Sequence, residues 1–278
     1  MYEQVTPGRF KGSAEEIWIG PIQLFDERAN QSLLESGGSW KDSRTFGVFN
    51  SCNEAEQCPG SSVDAGYLCT LSSNQELLVR TPRSFRLVSA TVDTGILEEY
   101  SASVEKVSLE EKLRNTWVIS SDAATCAKFQ GFLISVHEAI RTSPELLESK
   151  QARNSIIDSI LSEILRVALI NEKDDQYVLP GNTRRRVVSR ACEYIREHID
   201  EPIAVSDLCR KVNVSRRTLQ YSFQAVLGIN PVAYLRMLRL NGARRDLRRI
   251  DPAPGYVTEV AQNWGFWHFS RFAMHYRQ

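Results

Sequence analysis

Arg216, Arg217, Gln220, Tyr221 and Gln224 fall at spacings that gather them on one side of a helix, opposite Leu219 and Phe223. Arginine and glutamine make paired hydrogen bonds to the guanine and adenine edges in the major groove of DNA. Leu219 and Phe223, four residues apart, form the apolar stripe that would bury such a helix against a neighbour. The chemistry open to the polar face is therefore base reading. A solvated amphipathic helix is the competing interpretation, and the residues on either side decide against it.

Those residues are one half of a duplication. The first copy reads Leu208-Cys209-x3-Asn213-Val214-Ser215-x3-Leu219-x3-Phe223, and the second Val260-Ala261-x3-Gly265-Phe266-Trp267-His268-x3-Phe272-x3-Tyr276, with one extra residue in the second turn. Each spacing has a physical reason. Cys209 and Ala261 are small, so two helices can cross closely. Four residues on, the chain needs a left-handed residue, which glycine adopts freely and asparagine next best. Val214 and Phe266 plug the core just beyond, and Ser215 can cap the next helix. The pattern predicts two helix-turn-helix units, each presenting its second helix to a groove.

The flanking segments must position these units. Val188, Ala191, Cys192, Ile195 and Ile199 form a helical stripe before the first copy. Asn230-Pro231 starts a long helix between the copies, through Tyr234, Leu235, Leu238, Ala243 and Leu247. That helix carries Arg236, Arg239, Arg244, Arg245, Arg248 and Arg249, some expected on phosphate and others paired with Asp246. Gly242 inside it weakens the helix by about 1 kcal/mol relative to alanine, with close packing as its only evident reason.

The net charge of the chain is zero, but residues 1–183 hold 17 Lys and Arg against 26 Asp and Glu, whereas residues 184–278 hold 17 against 8. A basic C-terminal segment joined to an acidic one suits a polyanion binder with a second task. Residues 174–183, polar and containing Pro180-Gly181, read as the linker between a domain over 1–173 and one over 184–278.

The first domain begins with strand patterns: Glu15 to Phe25, Phe46 to Phe49, Tyr67 to Leu71 and Phe85 to Val92, separated by turn residues. Helical periodicity follows from Ala123 to Arg141 and from Arg153 to Ile170, with Ser143-Pro144 as the expected start of the second helix. Apolar residues spill around the latter helix, which implies burial on more than one side, within the domain or in a dimer. The fold class is thus α+β: a strand-rich unit with following helices, then an all-α unit.

No apolar run reaches membrane-spanning length, and Met1-Tyr2-Glu3-Gln4 lacks a secretion pattern, so a cytoplasmic location is expected. There the six cysteines should be reduced. All four histidines (His137, His198, His268, His275) lie outside the strand region, which rules out a histidine metal site among those strands. No Ser-His-Asp, phosphate-loop or paired-carboxylate pattern stands out, so no enzyme activity is assigned.

Three stretches carry a family resemblance: Asp207-Leu208-Cys209-x4-Val214-Ser215-Arg216-Arg217-Thr218-Leu219-Gln220, then Pro231-x2-Tyr234-Leu235-x3-Arg239-Leu240-x2-Ala243-Arg244-Arg245, then Trp264-Gly265-Phe266-Trp267-His268-Phe269. Over 184–278 the chain resembles the DNA-binding domain of the AraC/XylS family of bacterial regulators. Ser-Arg-Arg-Thr-Leu-Gln, Trp-Gly-Phe-Trp-His and Pro7-Gly8-Arg9-Phe10-Lys11-Gly12 are most similar to its ethanolamine-utilisation operon subgroup. The resemblance implies recognition helices in successive major grooves of promoter DNA, an activating contact with RNA polymerase, and a sensor domain, often cupin-like, that binds a small-molecule effector or makes a homodimer. By position it assigns base reading to Arg217, Gln220 and Tyr221, and in the second helix to Phe269, Ser270 and Met274, with His268 and Arg271 beside them. The second set bonds weakly, so the first helix should discriminate more. The family usually continues into a Phe-Gly-x-x-Pro segment where this sequence stops, so the expectation is either that the sequence is truncated or that the second unit lacks its closing cap.

No cofactor is assigned, and the effector is unknown. Trp18, Trp40, Phe46, Phe49 and Tyr67 are candidates to line its pocket or to pack the core. One rival is a methyl-acceptor DNA-repair protein fused to the same DNA-binding domain, but Cys52, Cys58, Cys69 and Cys126 are poorly spaced for its zinc module. The other is an interaction protein whose DNA-binding domain no longer binds.

Overall fold

The computed structural model describes residues 1–51, 67–73, 75–114, 116–120, 122–169, 182–199, 201, 203–248, 256–266 and 268–277. Cys52, Cys58, Trp267, Arg249 and most of the expected linker lie outside the described residues.

Nine strands build two antiparallel sheets among the described residues. Strands β1 (Tyr2–Gln4), β4 (Leu33–Gly37) and β7 (Leu77–Arg80) form a small sheet in the order β1-β4-β7. Strands β2 (Gly12–Ile19), β3 (Ile22–Ala29), β5 (Ser43–Ser51), β6 (Leu68–Ser72), β8 (Phe85–Asp93) and β9 (Val118–Ser120) form a larger one, ordered β2-β3-β8-β5-β6-β9. The stretch from Glu15 to Phe25, which the sequence presents as one interrupted strand, is a hairpin. Ile19 pairs with Ile22 across Gly20, whose φ of +58° sets the turn.

Strand alternation distributes the apolar residues to two faces. Phe46, Val48, Val88, Ala90 and Val92 face helices, where they meet Phe129, Leu133, Ile140, Ile160, Leu161 and Ile164. Phe49, Phe85, Leu87, Leu33 and Val79 fill the gap between the sheets. The helices are α1 (Thr94–Val104), α2 (Leu109–Lys112), α3 (Ala123–Thr142) and α4 (Lys150–Ala168). Glu110 of α2 pairs with Arg44, a fully buried arginine of the large sheet.

Helix α3 starts where its sequence pattern places it, with the Asp122 carboxylate accepting the Thr125 amide at 2.7 Å. The expected start at Ser143 is corrected. Ser143 ends α3, makes no side-chain cap and leads into a single 3-10 turn over Pro144–Leu147. Ser149 caps α4 instead, accepting from the Ala152 amide at 3.3 Å. Ile160, Leu161, Ile164, Leu165, Val167 and Ala168 of α4 are buried in the N-terminal core, and Ile156 and Ile157 pack against it half-buried.

Helix α5 (Asn182–Glu197) opens the C-terminal region, so residues 182 and 183 are helical rather than linker. It is followed by α6 (Val205–Val212), α7 (Arg216–Leu227), α8 (Pro231–Leu247), α9 (Tyr256–Asn263) and α10 (Phe269–Arg277). Val188, Ala191, Cys192 and Ile195 of α5 share a core with Leu208, Leu219, Phe223 and Tyr234. Leu34 and Leu78 of the small sheet join that core, so the two halves pack against each other.

Candidate nucleic-acid interface

The first unit is α6, a turn and α7. The Ala204 amide donates to the Asp207 carboxylate at 2.8 Å, and this bond, with Arg210 second, holds the Asp207 carboxyl below the usual range. Asn213 ends α6 in the left-handed conformation, φ 54° and ψ 51°. The Val214 amide reaches the Cys209 carbonyl at 3.1 Å, and the Ser215 hydroxyl accepts the Thr218 amide at 3.1 Å. Leu219 and Phe223 are then wholly buried, with the Phe223 ring edge-on to Tyr234 at 5.8 Å.

That anchoring leaves Arg216, Arg217, Gln220, Tyr221 and Gln224 exposed together. The Arg217 guanidinium lies 5.4 Å from the centre of the Tyr221 ring, an orientation that restricts both side chains. The intervening Ser222 is buried. Every residue that the sequence places on this face is on it.

The second unit repeats the backbone pattern. Gly265 takes φ +74°, the Phe266 amide reaches the Ala261 carbonyl at 2.8 Å, and the Phe272 amide reaches the His268 carbonyl at 2.9 Å. These bonds match Val214 to Cys209 and Leu219 to Ser215 in the first unit. Phe272 is buried, and His268, Phe269, Ser270, Arg271 and Met274 are exposed as a group. Tyr276, which the duplication aligns with Phe223, has its ring centre 5.5 Å from that of Phe272 and is 38% exposed, whereas Phe223 is buried.

The α8 arginines depart from the sequence expectation. Arg244 donates to the Gln4 side chain at 2.8 Å, Arg245 pairs with Glu3 at 3.2 Å, and Arg239 donates to the Glu201 carbonyl at 2.9 Å. Among the described residues no arginine pairs with Asp246; its carboxylate accepts the Trp264 indole N–H at 2.6 Å, while its carbonyl accepts the Tyr256 hydroxyl at 3.1 Å. These contacts seat the second unit on the end of α8. The mid-helix Gly242 was the one available signal of them.

The aromatic candidates of the N-terminal half separate. Phe46 belongs to the core beneath the helices, whereas Trp18 and Trp40 meet at the surface, 4.9 Å apart. Phe49 and Tyr67 line an apolar cavity of about 90 Å³ between the sheets, with Trp117 and Arg185 at its wall. Cys69 also lines it, and burial pushes that thiol up to about 12, far from the thiolate a methyl acceptor needs. Among the described residues no cluster of His, Cys, Asp and Glu could hold a metal, and no helix is long and apolar enough to cross a membrane.

Comparison with known proteins agrees with the geometry of the C-terminal region. Residues 208–278 match the model of a helix-turn-helix domain. A "Probable thc operon regulatory protein" of Rhodococcus erythropolis is 38% identical over 145 residues, covering 49% of this chain and 41% of that protein. "XylDLEGF operon transcriptional activator 2" of Pseudomonas putida is 32% identical over 88 residues, covering 32% of this chain and 56% of that one. The chain thus spans less than two thirds of the length of either relative. Among solved structures, the AraC-like transcriptional activator CuxR covers 86% of this chain and 80% of its own at 15% identity and a TM-score of 0.40. The C-terminal region therefore carries a helix-turn-helix domain, and the two relatives named are regulators of operons.

Proposed function

We propose that this chain regulates transcription of a metabolic operon by reading promoter DNA with α7 and α10, and that α7 supplies most of the discrimination. The observation that carries this reading is the exposed row Arg216, Arg217, Gln220, Tyr221 and Gln224 on a helix whose opposite side is fully buried. Such a row matches the donor and acceptor pattern of base edges, and the charge of residues 184–278 supplies attraction to phosphate. The weaker bonding groups of α10, Phe269, Ser270 and Met274, suit shape and methyl contacts.

Selection of binding sites from a randomised duplex pool tests the reading. A defined motif with two half-sites, and affinity that falls steeply with salt, is the expected result. Recovery of sequences without any shared motif would sink it and favour the interaction-protein alternative.

The N-terminal half, in this proposal, senses a small molecule and couples it to DNA binding, to a homodimer or to RNA polymerase recruitment. The packing of Leu34 and Leu78 into the C-terminal core supports such coupling. The resemblance to ethanolamine-operon regulators makes ethanolamine and cobalamins the first compounds for a thermal-shift screen, with activation of a reporter as the second readout.

A further inference from the structure

Pro7-Gly8-Arg9 has no part in reading bases, yet the chain fixes its shape closely. Gly8 takes φ +120°, and a β-carbon there would lie 2.8 Å from Gln31 Nε2. The Gln4 side-chain amide donates to the carbonyls of Thr6 at 2.7 Å and Gly8 at 2.8 Å. The Thr6 hydroxyl donates to Gln31 Oε1 at 2.8 Å and accepts the Ser32 amide at 2.9 Å, and Asn30 donates to the Arg9 carbonyl at 3.0 Å. The turn is thus a built wall, tied to the sheet on one side.

Its other side faces α8. Between them lies a cleft of about 520 Å³, within the range of small-ligand sites. Arg9 comes from the turn, Arg236 and Arg244 from α8, and His275 and Tyr276 from α10. Among the described residues no carboxylate lines the cleft. Arg9 and Arg236 are exposed and have no carboxylate partner among the described residues. Arg244 is held by Gln4 Oε1, and Asn241 donates to the Gln4 carbonyl at 3.1 Å, so α8 and the turn are already in register. Three arginines thus line one concavity, where their like charges are unfavourable to one another. A multiply charged anion relieves that repulsion, and the planar guanidinium fork fits phosphate oxygens two at a time.

We propose that this cleft is a binding site for a small phosphate-bearing anion, gripped by Arg9, Arg236 and Arg244 and bridging the N-terminal turn to α8 and α10. Occupancy fixes the second helix-turn-helix unit against the N-terminal half, which makes the anion a candidate effector. Only that regulatory consequence rests on the DNA-reading function; binding stands on the cleft alone, so titration without DNA separates the two.

The test is calorimetric titration of the full chain with pyrophosphate, at constant ionic strength, with citrate as the carboxylate control. One saturable site that prefers pyrophosphate is expected. Arg9→Ala and Arg236→Ala should each weaken it roughly tenfold or more, without changing the melting temperature of the free protein. Arg217→Ala should leave it unchanged. ATP binding more tightly than pyrophosphate identifies a nucleotide as the natural source, and equal binding identifies a free phosphate compound. The proposal fails if no saturable heat is seen, if citrate matches pyrophosphate, or if both arginine variants bind as well as the parent. It fails equally if the two variants lose only DNA affinity, because the cleft is then a footing for the DNA backbone.

Discussion

The six-membered ring of Trp264 occupies the space where a side chain on Gly242 would begin: a β-carbon there would lie 2.2 Å from Cη2 and 2.3 Å from Cζ3. Alanine normally strengthens a helix by about 1 kcal/mol over glycine. Here it must displace an indole that is also bonded to Asp246, and such overpacking costs about 1–3 kcal/mol. Gly242→Ala should therefore loosen the second unit. The measurement is hydrogen exchange: amides of α9 and α10 should exchange several-fold faster, while those of α6 and α7 keep their rates. Equal or greater protection in α9 and α10 would show that the contact does not anchor them.

The contrast between Gly242 and Asn213 shows what the sequence makes legible. Asn213, Ser215, Gly265 and the row on α7 are readable because a turn and a cap are local chemistry, settled within a few residues. Nothing within a turn of Gly242 explains it, because its partner is Trp264, in the turn after α9. The same holds for Glu3 and Gln4, which claim Arg245 and Arg244 from the opposite end of the chain. Strands β1, β4 and β7 escaped detection for a related reason. They are three to five residues long, and Glu3 and Glu35 interrupt their apolar pattern although both are buried. Their stabilisation comes from a second sheet and from α8, which periodicity does not reveal.

Asn213 supplies a test of the turn itself. At φ 54° and ψ 51° a residue with a β-carbon is strained by roughly 1–2 kcal/mol, asparagine less so, and glycine not at all. Thermal unfolding should rank Asn213→Gly equal to or above the parent, and Asn213→Ala below it by about 1 kcal/mol. A stable Asn213→Ala variant would mean that the turn relaxes and that the angle between α6 and α7 is not fixed there.

Arg217 tests base reading. Removing a paired bond to a base should weaken the preferred site by about 1–3 kcal/mol and relax preference at a single base pair. Tyr221→Leu, which removes the ring beneath the guanidinium, should give a smaller loss at the same base pair, about 0.5–1 kcal/mol. The readout is competition binding against a panel of single-base variants. A uniform loss across the panel, accompanied by a shallower salt dependence, would make Arg217 a phosphate contact instead.

Glu35 and Glu27 set the pH dependence of the N-terminal half. Both are 5% exposed, and each keeps a buried carboxyl oxygen without a hydrogen-bond partner. Burial first, and the nearby Glu27 carboxylate second, push Glu35 up to about 8; burial raises Glu27 to about 7. The folded chain therefore retains protons that the unfolded chain releases near pH 4.5, the ordinary value for glutamate. The sign follows from linkage. The stabilisation is complete below about pH 4.5, where both states are protonated, and is lost progressively as pH rises through the folded values near 7 and 8. Glu35→Gln removes the titration while keeping the shape. Its melting temperature should exceed that of the parent by at least about 2 °C at pH 8.5 and equal it within error at pH 4.5. A variant with the same offset at both pH values would assign the effect to packing, and one less stable at pH 8.5 would show that the Glu35 carboxylate is held by a partner when charged.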